Sequence, residues 1–80
     1  MTTVIEALEL GTSALIEAGQ PVPRLDAQVL LGYVLQVDRA TLIASPGLPL
    51  TAEQERQYHQ LLERRKHGEP VAYLVGHKEF

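Results

Sequence analysis

Apolar residues recur at helical spacing from the start of the chain. Val4, Ile5, Leu8, Leu15 and Ile16 fall on one stripe. Thr3, with Glu6 three residues on, has the spacing of a capping box, in which hydroxyl and carboxylate close the first free backbone N–H groups. Gly19 stands just past the last periodic residue, where a left-handed stop belongs. The pattern predicts a helix over about 3–18. Gly11 weakens its middle by about 1 kcal/mol relative to Ala, and marks either a kink or a close helix contact.

Gln20-Pro21-Val22-Pro23 fixes two φ angles and leaves no room for helix. A second helix is predicted from about Arg24 to Gln36, with Leu25, Val29, Leu30, Leu31, Val34 and Leu35 covering more than half its circumference. A helix that apolar belongs at the centre of a bundle. Asp38 can cap a short third helix, Arg39 to about Ala44, presenting Leu42 and Ile43, which Ser45-Pro46-Gly47-Leu48-Pro49 ends.

Thr51 and Gln54 repeat the capping-box spacing and open a fourth helix, about Ala52 to His67. Glu53 and Glu55 in its first turns and Arg64, Arg65 and Lys66 in its last suit the macrodipole. Tyr58, Leu61, Leu62 and Arg65 share one thin face, which places this helix on the outside of the bundle, and Gly68 supplies its stop. The run from Glu69 to Gly76 admits a strand, from its Val and Tyr content, or a short helix with Pro70 at its first position and Gly76 as its stop. The helix is favoured. His77-Lys78-Glu79-Phe80 reads as extended, ending on a Phe with nothing after it to pack against. The sum is an all-α fold, a small bundle of four to five helices with the start of an extended linker at its C-terminal end.

Composition narrows the chemistry. Eighty residues with 45% apolar and 21% charged positions make one ordinary globular domain at most. With no cysteine there is no disulfide frame and no thiolate zinc site. No apolar run reaches the ~20 residues of a membrane span, and the acidic start lacks a signal sequence, so a cytoplasmic domain is expected. A net charge of −3 argues against bulk nucleic-acid binding. The six glycines are isolated, which excludes a phosphate-cradling loop. His59 and His67 are two helical turns apart, too far for shared ligation, and neither Ser13 nor Ser45 lies in a nucleophile elbow. Asp26 is either a first-turn acid favoured by the dipole or half of a buried ion pair that fixes helix packing. The basic run at 64–66 is a solvated helix end, and one of its arginines can reach back to carbonyls or to Glu69. Spacing and chemistry alone describe a small helical binding domain with no catalytic, cofactor or metal residues of its own.

The last seventeen residues carry a more specific pattern: Arg64-Arg65-x-x-Gly68-x-Pro70-x-x-Tyr73-Leu74-x-Gly76-x-x-Glu79-Phe80. It resembles the segment joining the two domains of HemK-type (PrmC) release-factor glutamine methyltransferases. Arg24-Leu25-Asp26-Ala27 followed by Leu30-Leu31 resembles the second helix of the same N-terminal domain, and Leu50-Thr51 fits as well. Gln28 departs from the pattern, at a position where the family often carries an acidic residue.

The resemblance implies a helical N-terminal domain over 1–75 and the start of a β-hairpin linker at 76–80, with the methyltransferase domain beyond. It implies S-adenosylmethionine as cofactor of the full-length protein and neither methyl transfer nor cofactor binding in this chain, which has no asparagine for the catalytic Asn-Pro-Pro-Tyr motif and no Gly-rich cofactor loop. The implied partner is a class 1 peptide-chain release factor, methylated on the glutamine of its Gly-Gly-Gln motif, and the domain itself is a monomer that helps seat it. Arg24, Asp26, Arg64, Arg65, Gly68, Pro70, Tyr73, Gly76, Glu79 and Phe80 are the positions that the resemblance singles out, in structural or partner-facing roles. The alternative from a different class is a free-standing helical adaptor or nucleic-acid-binding module that uses Arg64, Arg65 and Lys66.

Overall fold

Both capping boxes form. In a computed structural model that describes residues 1–76, Thr3 N–H donates to the Glu6 carboxylate at 3.0 Å and the Thr3 hydroxyl accepts from Glu6 N–H at 3.5 Å, opening α1 (Val4–Glu17). Thr51 and Gln54 exchange the same pair of bonds at 2.8 and 3.1 Å and open α4 (Ala52–Lys66). Between them lie α2 (Pro23–Leu35) and α3 (Arg39–Ala44), where the Asp38 carboxylate accepts from Thr41 N–H at 2.8 Å. A last short helix, α5 (Val71–Leu74), settles residues 70–75 as helix rather than strand. Pro70, expected at the first helical position, stands instead at the N-cap, with φ −62° and ψ 142°, and Val71 is the first helical residue. The extended segment expected for His77, Lys78, Glu79 and Phe80 lies outside the described residues.

The central place predicted for the most apolar helix is the one observed: α2 packs against α1, α3, α4 and α5. Ala27, Leu30 and Leu31 from α2 are fully shielded, together with Val4 and Leu15 of α1, Leu42 of α3 and Tyr58 of α4. Each buried leucine contributes about 1.5–3 kcal/mol through surface withdrawn from water. α4 rests on α1 and α2 through Tyr58 and Leu62, with Leu61 and Arg65 half-buried beside them, as its thin apolar face implies.

The stripe of α1 needs correction. Ile5 and Ile16 are 44% and 59% exposed, while Ala7 and Gly11 join Val4, Leu8 and Leu15 inside. The buried line steps by three or four residues, and the two isoleucines each stand one position to its side. Leu25 of α2 and Ile43 of α3 are likewise exposed.

Gly11 marks a close helix contact, and α1 runs unbroken through it. The Tyr58 ring lies over this glycine, and its hydroxyl donates to the Ala27 carbonyl at 3.4 Å. α1, α2 and α4 therefore meet at one aromatic side chain.

The loop after α3 does more than stop it. Val4 N–H donates to the Leu48 carbonyl at 2.8 Å, Ile5 N–H to Pro46 at 3.0 Å, and Leu50 N–H to Thr2 at 2.8 Å. The first free N–H groups of α1 are thus satisfied by a segment forty residues away in sequence. Thr3 and Pro49 form an isolated antiparallel bridge there.

Candidate functional site

Asp26, Arg64, Arg65 and Gly68, four of the residues singled out by the sequence pattern, come together where α2 begins and α4 ends. Asp26 lies in the first turn of α2, and Arg65 in the last turn of α4. Arg65 Nε donates to Asp26 Oδ2 at 2.9 Å, and Arg65 Nη1 donates to the Glu69 carbonyl at 3.1 Å. The two side chains are only 8% (Asp26) and 15% (Arg65) exposed. Of the two readings open for Asp26, the buried ion pair is therefore the one realised. Gln20 adds a third tie, its Nε2 donating to the Arg65 carbonyl at 3.3 Å.

Glu69 is held from the other side as well. Arg64 grips its carboxylate in a fork, Nε at 3.1 Å and Nη2 at 2.8 Å. That bond, and the carboxylate charge behind it, push the Arg64 guanidinium above its ordinary range. Gly68 permits the turn between the two contacts: its φ of +98° is left-handed, and its N–H donates to the Arg65 carbonyl at 2.9 Å. Two adjacent arginines thus hold Glu69, just ahead of α5, one by its backbone carbonyl and one by its side chain.

The remaining pattern positions are more scattered. Tyr73, 70% exposed, presents its ring to solvent, and Gly76 takes φ +61° after α5 as a stop should. Arg24 is not part of the ion-pair cluster and opens onto a groove over the start of α2. Glu79 and Phe80 lie outside the described residues. Lys66, the third member of the basic run, pairs with Glu63 at 3.1 Å, so each charge of that run has a carboxylate of this chain beside it.

Several contributors carried no clear signal in the sequence. Gln20 reads as linker. Gln28, the departure from the pattern, is buried in α2 and accepts from Arg39 Nε at 3.2 Å. An acidic residue there would form an ion pair with the same guanidinium. The ring nitrogen Nδ1 of His67 lies 2.7 Å from the Glu63 carbonyl, and His59 is exposed. Among the described residues no group of three His, Asp or Glu side chains converges on a point where a metal could sit. Nor, among those residues, is any helix long and apolar enough to cross a membrane.

Comparison with known proteins decides the family. The family described as the PrmC N-terminal domain matches residues 6–76. The chain belongs to this family. It is 41% identical over 78 residues to the release factor glutamine methyltransferase of Koribacter versatilis, covering 98% of this chain and 28% of that protein. It is 50% identical over 58 residues to the protein of that name from Salmonella typhimurium, covering 72% and 21%. With that from Aliivibrio fischeri it shares 41% over 81 residues, covering 100% and 28%. The chain thus spans less than a third of the length of the curated relatives it matches. No solved structure matches it. In this chain the contacts of Asp26, Arg64, Arg65 and Glu69 tie α2, the end of α4 and the segment before α5 to one another.

Proposed function

We propose that this chain is the substrate-recognition domain of an S-adenosylmethionine-dependent protein-glutamine methyltransferase, and that it seats a class 1 release factor so that the Gly-Gly-Gln glutamine reaches a catalytic domain encoded beyond residue 80. The helical domain covers 1–75, and 76–80 begin the linker. The domain acts as a monomer in the cytoplasm and contributes no catalytic side chain.

The observation that carries this reading is the junction of α2, α4 and α5. Its charged residues are turned on one another and on the backbone, not on a cavity. Arg65 spends two donors on holding α2 and the segment after α4, and Arg64 spends its fork on Glu69. That arrangement suits a module whose task is to hold one body at a fixed angle to another, with chemistry performed elsewhere. S-adenosylmethionine requires a cradle for its carboxylate and ribose, and the isolated glycines of this chain build none.

Titration calorimetry separates the roles. The 80-residue chain mixed with S-adenosylmethionine should give no heat of binding, while the full-length protein should bind it. Tight binding by the chain alone would contradict the division of labour.

A further inference from the structure

Seven basic residues serve this acidic chain, and their pairing is uneven. Among the described residues, Arg56, Arg64, Arg65 and Lys66 each have a carboxylate within salt-bridge distance. Arg24 and Arg39 have none among those residues. Both line one shallow groove over the start of α2, floored by Val22, Leu25 and Gln28. The groove continues past Gln28 toward Ile43 on α3. Val22, Leu25 and Ile43 are exposed aliphatic side chains, and no Asp or Glu lines either part. Gln28 bonds Arg39 through a neutral amide oxygen, which leaves the guanidinium charge uncompensated.

Apolar floor, two guanidiniums without a salt bridge among the described residues at its edge and no carboxylate in its lining define an occupant by complementarity. We infer that this groove binds a segment of the partner protein that carries aliphatic side chains flanked by Asp or Glu. The inference rests on the reading above, in which that partner is a release factor, and it assigns the contact surface. The place of the groove supports it. Gly76 lies beside the Tyr33 hydroxyl, in the last turns of α2, whereas the groove opens over residues 22–28 at the first. The groove thus lies at the other end of α2 from the last described residue. Each exposed guanidinium can meet a carboxylate in a two-pronged geometry, which gives register and speeds encounter more than it adds affinity.

The experiment uses the full-length protein and a purified class 1 release factor, with affinity measured at two salt concentrations. Arg24→Glu with Arg39→Glu should weaken binding about tenfold or more and flatten its salt dependence. Arg56→Glu, an exposed reversal on α4, should change affinity less than about twofold. Leu25→Asp tests the apolar floor and should also weaken binding, with the far-UV spectrum of every variant unchanged. If the wild type binds the release factor and the double reversal binds it equally well, the groove assignment is overturned while the recognition role stands. If the wild type shows no affinity for the release factor, or loses none when residues 1–75 are deleted, the recognition role itself fails. A loss confined to binding of a single-stranded RNA, or to self-association read from concentration-dependent molar mass, would also overturn the proposal.

Discussion

The Tyr58 hydroxyl occupies the space that a side chain at Gly11 would need. A Cβ added to Gly11 would overlap the Tyr58 oxygen and come within 3.0 Å of its ring carbon Cζ. Helix propensity alone favours Ala at position 11 by about 1 kcal/mol. Overpacking opposes it by about 1–3 kcal/mol, because Tyr58 is 1% exposed and cannot swing aside. Gly11→Ala should therefore lower stability in urea unfolding. In a Tyr58→Phe background, where the overlapping oxygen is gone, the loss should shrink by about 1 kcal/mol or reverse. Stabilisation by the single Ala substitution would show that the three helices do not meet there.

The pairing of Asp26 with Arg65 invites a second test. Removing one partner leaves the other charge buried without its counter-ion, which costs about 3–5 kcal/mol. Asp26→Ala should thus lose at least about 3 kcal/mol, much of the stability of a domain this small. Arg65→Lys, with Asp26 kept, should also lower stability, since one ammonium cannot serve both the Asp26 carboxylate and the Glu69 carbonyl in the geometry of the guanidinium. The denaturant midpoint reads both effects.

Burial pushes the Tyr58 phenol well above its ordinary value of 10.0. Above pH 10 the unfolded chain loses this proton while the folded chain keeps it, so the unfolded state binds fewer protons and stability falls as pH rises. The limb should approach about 1.4 kcal/mol per pH unit and be absent in Tyr58→Phe. At the acid end the sign reverses. Thr41 N–H holds the Asp38 carboxyl below its usual range, so its contribution is present above that range and lost as pH falls through the lowered value. Asp38→Asn should make stability less sensitive to pH there.

Gln36 closes α2 in a left-handed conformation, φ +61° and ψ 43°, which a residue with a Cβ adopts at a cost. Gln36→Gly should raise stability by about 0.5–1 kcal/mol, with a higher urea midpoint and an unchanged slope.

What could be read from the sequence was mostly what neighbours in sequence decide. Thr3 with Glu6, Thr51 with Gln54 and Asp38 with Thr41 are bonds across three residues, and all were legible as caps. The glycine stops at 19, 68 and 76 follow from backbone freedom alone. The orientation of α1 was less so: Val4 and Ile5 differ by one position, and only the packed neighbour decides which turns inward. The return of Pro46 and Leu48 onto the N–H groups of α1 is a long-range bond with no local mark. Of the candidate site, the tie of the basic run to Glu69 was legible because it spans five residues. Asp26 and Arg65 stand thirty-nine residues apart, so the sequence offered the ion pair only as one of two readings. Gln28 with Arg39, and Tyr58 with Ala27, join residues on different helices and left no periodic trace.

Methyl transfer to a class 1 release factor by the full-length protein, with and without residues 1–75, tests the recognition role most directly. KM for the release factor should rise at least about tenfold in the shortened protein, while its affinity for S-adenosylmethionine stays unchanged. An unaltered KM would contradict the assignment of substrate recognition to this domain.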